Sequence, residues 1–432
     1  RFDDAFKVLD TALTKDKREP EFWLGIADLY RDTGIAAQAK MDRIKAGIIT
    51  SLDKASALKS ESPLILHRLA DYYKVWGESD KAIALFIQLI ELNPGLIGVR
   101  EQLADLYLRA DMTQDATRQL EAILRERPTN ERALFVLGGI KRQLDKLEEA
   151  AAHFETVLKI NPKFELAYYE LAGVRLFQNR PTITLATLKK AGEQFKPRFI
   201  TKFYAGLAHS ALYQYPKAIE NLLDAEKLAQ AGEQNRLTHF FYFQLGAAYE
   251  RNRQYETADK TFNKAIEMSP DYHNAMNYLG YMWADINRNL DEAAKHITMA
   301  NELSPDNASY VDSLGWLYFR QGKFTEALAE LQRAAELIKD EPDSTIHEHI
   351  GDTHQQLGQA DEARAQWEKS LGLLRKQEAE MTSPDSYLLE QLGNVLNKLG
   401  QADKANAAWQ RSYDITPNQP LHKKLHPAEK EE

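Results

Sequence analysis

The chain has 432 residues, of which 44% are hydrophobic and 28% charged, and it carries a net charge of -9 with no cysteine. An acidic chain without a basic stripe is a poor match for nucleic acid, which is held by clustered Lys and Arg. The absence of Cys excludes disulfides, thiolate metal sites and a cysteine nucleophile.

In chain order, Phe2, Ala5, Leu9 and Ala12 are spaced as the apolar face of one helix. They read as the second helix of a repeat whose first half is missing. The chain begins at Arg1 and inside a repeat, so upstream sequence is expected to have been removed, which leaves room for a signal peptide or lipid anchor. Trp23, Ala27, Tyr30, Gly34 and Ala39 start the next copy, with Arg43 where a large apolar residue belongs. A longer helix follows through Ile48–Ser62 to Pro63.

From there the pattern is regular. Ala70, Tyr73, Gly77, Ala82, Phe86 and Pro94 form one copy, and Leu103, Ala104, Tyr107, Ala116, Leu120 and Pro128 follow 34 residues later. Leu134, Leu137, Gly138, Ala150, Phe154 and Pro162 repeat the step. Tyr168, Leu171 and Ala172 continue it with Thr184 in a small-residue place, and Gly206, Ala218, Leu222 and Ala225 hold it again. The clearest copy is Tyr242, Leu245, Gly246, Tyr249, Ala258, Phe262, Ala265 and Pro270. After it come Leu279, Gly280, Ala293, Ala300 and Pro305, then Leu314, Gly315, Tyr318, Gly322, Phe324, Ala327 and Ala334. Gly351, Gly358, Ala363 and Trp367, then Gly393, Gly400, Ala405, Trp409 and Pro417, close the series. The densest apolar run, Ile83–Leu92, is broken by Gln88 and Glu91, so no stretch approaches the ~20 residues that span a bilayer.

At its signature positions this pattern resembles the tetratricopeptide repeat, and the resemblance covers nearly the whole chain. It implies an all-α fold: a right-handed superhelical solenoid of about twelve antiparallel helix pairs, the first one partial. Small residues such as Gly246, Ala258 and Ala265 would sit where helix backbones approach, large ones such as Tyr249 and Phe262 would fill the gaps, and Pro would end each second helix. Residues 1–62 are expected to be irregular repeats, 63–230 regular ones and 236–417 the C-terminal repeats, with 418–432 a flexible tail. Two seams stretch the period, at Ala229–Asn235 and Lys376–Pro384. They read as lengthened helices or loops, or as places where the superhelix bends or a partner docks.

In this family the fifth residue of each first helix points into the concave groove, and residues four and seven further on share that face. Here the fifth position runs His67, Glu101, Phe135, Tyr169, Phe203, Phe243, Asn277, Asp312, Glu348 and Glu390. Tyr281 and Trp316 extend the aromatic run one turn on, with Phe319 beside Trp316, and Asp352 joins the acids. The candidate protein- or peptide-binding residues are therefore Phe135, Tyr169, Phe203, Phe243, Asn277, Tyr281, Trp316, Phe319, Asp312, Glu348 and Asp352. Two readings stand for the aromatics: a solvent-facing apolar groove, or tight packing between adjacent first helices. The first predicts that Phe203 and Phe243 are exposed and can be changed without unfolding. With the acids it predicts an apolar ligand segment with a basic flank.

The carboxylate clamp of chaperone-binding members needs Lys at the fifth position and is missing, with only Asn394 in its ninth-position place. His347 and His354 share a helix face but fall where core aromatics belong, and His422 and His426 lie in the expected tail, so neither pair makes a metal site. No Gly-rich phosphate loop or nucleophile elbow appears, so neither a catalytic group nor a cofactor is expected. The runs Tyr278–Tyr281, Pro305–Asn307 and Asp312–Trp316 resemble bacterial repeat proteins, which are frequent in the cell envelope. That implies a non-catalytic scaffold binding partner proteins in a periplasmic or envelope assembly, with the cytoplasm as the alternative location. A receptor or cochaperone for short extended peptides, and the targeting array of an enzyme whose catalytic part is not in this chain, are the other readings.

Overall fold

The computed structural model describes residues 2–17, 19–37, 41–381 and 385–426. Ala39 of the second repeat, Pro384 at the end of the second seam, and the tail from Pro427 lie outside them. Among the described residues there is no strand, and a single short 3-10 turn, Gln234–Arg236, interrupts a succession of α-helices. They are α1 (Phe2–Ala12), α2 (Pro20–Ala37), α3 (Met41–Ala57), α4 (Pro63–Val75), α5 (Ser79–Leu92), α6 (Ile97–Arg109), α7 (Thr113–Glu126) and α8 (Glu131–Gln143). Next come α9 (Leu147–Ile160), α10 (Glu165–Phe177), α11 (Pro181–Gly192), α12 (Phe199–Ala211), α13 (Tyr215–Gly232), α14 (His239–Arg251), α15 (Tyr255–Met268) and α16 (His273–Asp285). The last are α17 (Leu290–Leu303), α18 (Ala308–Arg320), α19 (Phe324–Leu337), α20 (Ser344–Gln356), α21 (Ala360–Glu380), α22 (Ser386–Lys398), α23 (Ala402–Ile415) and α24 (Gln419–Leu425).

The chain forms two compact units, residues 1–174 and 175–432. In the first, α2 packs on α3, α4 on α5, α6 on α7 and α8 on α9. In the second, α12 packs on α13, α14 on α15, α16 on α17, α18 on α19, α20 on α21 and α22 on α23. These are the helix pairs of the sequence period, and the small-to-large step explains them. A Cβ placed on Gly138 would lie 2.7 Å from the Phe154 ring, one on Gly246 2.8 Å from Phe262, and one on Gly393 2.3 Å from Trp409. The large side chain of each second helix thus lies flat on the backbone of the first, sixteen residues earlier. Phe154 and Phe262 are fully buried there, each ring held by close packing on every side.

From α4 onward, each pair turns the same way. The chain takes a left-handed backbone at Gly77, Asp111, Asp145, Gly322, Gly358 and Gly400. The next N–H then returns to the carbonyl five residues back, as Met112 to Tyr107 and Lys146 to Lys141, both at 2.8 Å. This is the helix-ending arrangement that Gly, Asn and Asp accept at least cost. Two bulky residues occupy the same place, Tyr213 at φ 57° and Arg253 at φ 60°.

The departures from the period resolve locally. Both seams lengthen a second helix: α13 has 18 residues and α21 has 21. In the second repeat Ile44, not Arg43, is the buried large residue, and its side chain lies over Gly34. The Arg43 guanidinium instead covers the Phe6 ring at 4.3 Å. The segment expected to be a flexible tail holds α24, whose Leu421 is fully buried against α23. The Asn418 cap accepts from the Leu421 N–H at 2.9 Å, and Leu425 packs beside Leu421, so the segment is seated as a helix.

Candidate functional site

The first helices of the second unit, α14, α16, α18, α20 and α22, supply one continuous lining. Adjacent members pack together, α14 on α16, α16 on α18 and α18 on α20. Side chains from their facing surfaces line two adjoining open chambers of about 270 and 340 Å³. Glu250, Arg251, Tyr281, Thr345 and Tyr387 border both.

Charged side chains cross this groove. Arg253, in the strained turn after α14, donates to Glu390 of α22 at 2.6 Å, a partner 137 residues away. Lys398 Nζ donates to Glu348 at 2.6 Å and to Asp352 at 2.7 Å, joining α22 to α20. Lys424 of α24 donates to Glu390 at 3.0 Å and to Asn394 at 2.8 Å. The Arg251 guanidinium stands 4.8 Å from the centre of the Tyr387 ring. Burial opposes the Lys398 charge, but its two carboxylates outweigh that and hold its pKa above the ordinary lysine value.

The floor is aromatic. Phe319, Trp316 and His349 form a parallel stack, with ring centres 4.7 and 4.1 Å apart. His349 Nδ1 pairs with Asp312 Oδ1 at 2.9 Å, and both residues are buried. Burial alone would lower the His349 pKa, yet Asp312, with Glu348 and Asp352 nearby, raises it above the usual 6.5. A raised pKa means that the pair adds stability in full below the ordinary histidine range. The contribution is lost as pH rises through the raised value. His349→Gln should therefore cost more stability at pH 6 than at pH 9, measured as the difference in urea midpoint from the unchanged chain. A gap of constant size across that range would show that His349 is not charged in the fold.

Of the expected groove residues, Phe243, Asn277, Tyr281, Asp312, Trp316, Phe319, Glu348 and Asp352 lie on these helices and Phe135, Tyr169 and Phe203 on α8, α10 and α12, and their exposure needs correction. Tyr169, Phe203, Phe243, Asn277, Trp316, Asp312 and Glu348 are buried, and Phe135, Tyr281, Phe319 and Asp352 are half-buried. Phe243 packs on Tyr278 with ring centres 5.0 Å apart and on Tyr272 at 5.5 Å. Phe203 stacks on Phe199 at 5.3 Å and meets Phe241 at 5.9 Å. In the first unit, Phe135 lies 5.0 Å from Phe164 and 5.6 Å from Phe154, while the Tyr169 hydroxyl donates to Glu165 at 2.7 Å. Neighbouring helix axes are only about 8–10 Å apart, so a ring at the fifth position fills the space between two first helices and does not point clear of them. Of the two readings of the aromatics, tight packing is the one realised. The acids are already engaged by the chain's own Lys398, Arg253 and His349.

His347 and His354 pair with glutamines, His347 Nδ1 with Gln366 at 2.8 Å and His354 Nδ1 with Gln359 at 2.6 Å. Among the described residues no three or more His, Asp or Glu side chains are grouped to hold a metal ion.

A family model for the tetratricopeptide repeat matches residues 101–163, 287–344 and 313–371, and a second of the same description matches 64–96 and 241–272. The chain is built of tetratricopeptide repeats. No curated protein matches it. Among solved structures it is similar to the Cut9-Hcn1 hetero-tetramer of the APC/C, with 14% identity over 99% of this chain and 92% of that one and a TM-score of 0.46. It is also similar to YrrB, described as a TPR protein with an unusual peptide-binding site, with 17% identity over 44% of this chain and 95% of that one and a TM-score of 0.36. In the tetratricopeptide frame, Glu250 stands seven residues after Phe243, so the face rule of four and seven residues covers it, although it was not among the expected groove residues. Arg253, Lys398 and Lys424 lie off that rule. Arg253 sits in the turn, and Lys424 in the segment read as a tail.

Proposed function

We propose that the chain is a non-catalytic scaffold that holds a partner protein against the first helices of its tetratricopeptide repeats. The observation that carries this is the lined groove between α14 and α22, with buried polar groups and aromatic walls facing one channel. The same geometry favours the peptide-receptor reading for the contact itself. With Arg253–Glu390 and Lys398–Glu348 crossing the groove, chambers of about 270 and 340 Å³ suit side chains of an extended segment, not a folded domain. A place in a bacterial cell-envelope assembly is proposed on the resemblance of the repeat sequences alone.

A photo-crosslinking residue placed at Tyr387, which borders both chambers, should capture the partner from native extract. The same residue at Met299, exposed on the second helix α17, should not. Capture from Met299 with none from Tyr387 would move the interface to the outer face and overturn the groove reading.

A further inference from the structure

The larger chamber contains a buried acceptor without a donor. Asn277 is 5% exposed, and its Oδ1 has no hydrogen-bond partner in the protein. Such a carbonyl ordinarily costs stability, so native folds seldom leave one unmatched. Glu250 is the second such group. Its Oε2 is 3.3 Å from the Arg251 Nε but makes no hydrogen bond, and burial raises its pKa. The walls around these two acceptors are the Tyr281 and Tyr387 rings, and Asp312 borders the same space. At the rim stand Glu341 and Asp343, both exposed. Among the described residues of the lining the one Lys or Arg is Arg251, and its guanidinium already rests over the Tyr387 ring, so this wall accepts that chemistry. No donor among the described residues hydrogen-bonds to either acceptor, and the lining sets Glu250, Glu341 and Asp343 against that one guanidinium, so its charge balance asks for a positive group.

We propose that this chamber takes one lysine or arginine side chain of the bound partner, with Asn277 Oδ1 and Glu250 Oε2 as acceptors and the tyrosine rings along its stem. A chamber of about 340 Å³ holds a single side chain of that length. The proposal rests on the groove being the partner-binding face, and it names what the partner must present there.

The test uses capped amino acids on the full chain, so it does not depend on knowing the partner. N-acetyl-argininamide and N-acetyl-lysinamide are titrated by calorimetry or saturation-transfer NMR, with N-acetyl-glutaminamide as the uncharged control and putrescine as a free amine. The cationic capped residues should bind, and glutaminamide should bind at least about tenfold more weakly, the margin of a charge-assisted over a neutral contact. Asn277→Leu should weaken the cationic probes by about tenfold while melting at or above the unchanged chain, because it removes an unmatched buried carbonyl. Glu250→Gln, which keeps the volume, should weaken them comparably and serves if the leucine variant does not fold. Equal binding of glutaminamide, or full binding by both variants, would overturn the proposal. Putrescine binding tighter than argininamide would also overturn it, assigning the chamber to a free amine. Failure of the probes while Tyr387 still cross-links a partner would reject the chamber and leave the groove reading intact.

Discussion

With Phe203 and Phe243 both changed to Ser, the second unit is expected to lose most of its stability. Both rings are buried, Phe203 among Phe199 and Phe241 and Phe243 among Tyr272, Tyr278 and Phe262. Removing a buried Phe side chain costs about 3–5 kcal/mol through lost transfer energy and the cavity left behind. A serine hydroxyl in the same place adds an unmatched polar group. Against a total of about 5–15 kcal/mol for an ordinary domain, two such losses leave little. Repeats contact mainly their neighbours, so the damage should start locally, with hydrogen exchange rising first in α12 to α16. The measurements are the urea midpoint by circular dichroism and the exchange map. An unchanged midpoint would mean that the rings face solvent after all and that the fifth position forms an open apolar groove.

The contrast between these two rings and the repeat itself shows what the sequence could carry. The step from Gly246 to Phe262, or from Gly393 to Trp409, is a contact within one helix pair. Its geometry is set by a turn of fixed form, so spacing alone reveals it. Burial of Phe203 and Phe243 depends on how closely successive first helices approach, which no residue spacing encodes. The cross-groove bonds are further from view. Arg253 meets Glu390 at a separation of 137 residues, a contact that exists because of how successive repeats of this unit are arranged. Tyr213 and Arg253 did carry a signal, though a quiet one. Each is a bulky residue at the turn position that the other pairs from α4 onward give to Gly, Asp or Asn, and each borders a cleft of the second unit. A non-glycine residue held at positive φ costs of order 1 kcal/mol or more, so its side chain is the place to look for a compensating role. For Arg253 that role is the bond to Glu390.

Lys398→Met should be the most damaging single change in the groove. The ammonium is the shared partner of Glu348 and Asp352, whose side chains are only 11% and 17% exposed. Removing one partner of a buried ion pair costs about 3–5 kcal/mol, chiefly because the other charges remain out of water without compensation. Here two carboxylates are stranded on adjacent turns of α20. Asp352 keeps one donor, the Trp367 indole N–H at 3.0 Å, so Glu348 bears more of the penalty. The decisive comparison is a rescue. Adding Glu348→Gln and Asp352→Asn to the methionine variant removes both stranded charges while keeping their volume, and should return most of the lost midpoint. Were the loss due to packing of the lysine stem alone, the triple variant would be no more stable than the single one. Recovery would establish that the groove is held together by charge pairing across it, and that a partner entering there must replace those bonds or leave them intact.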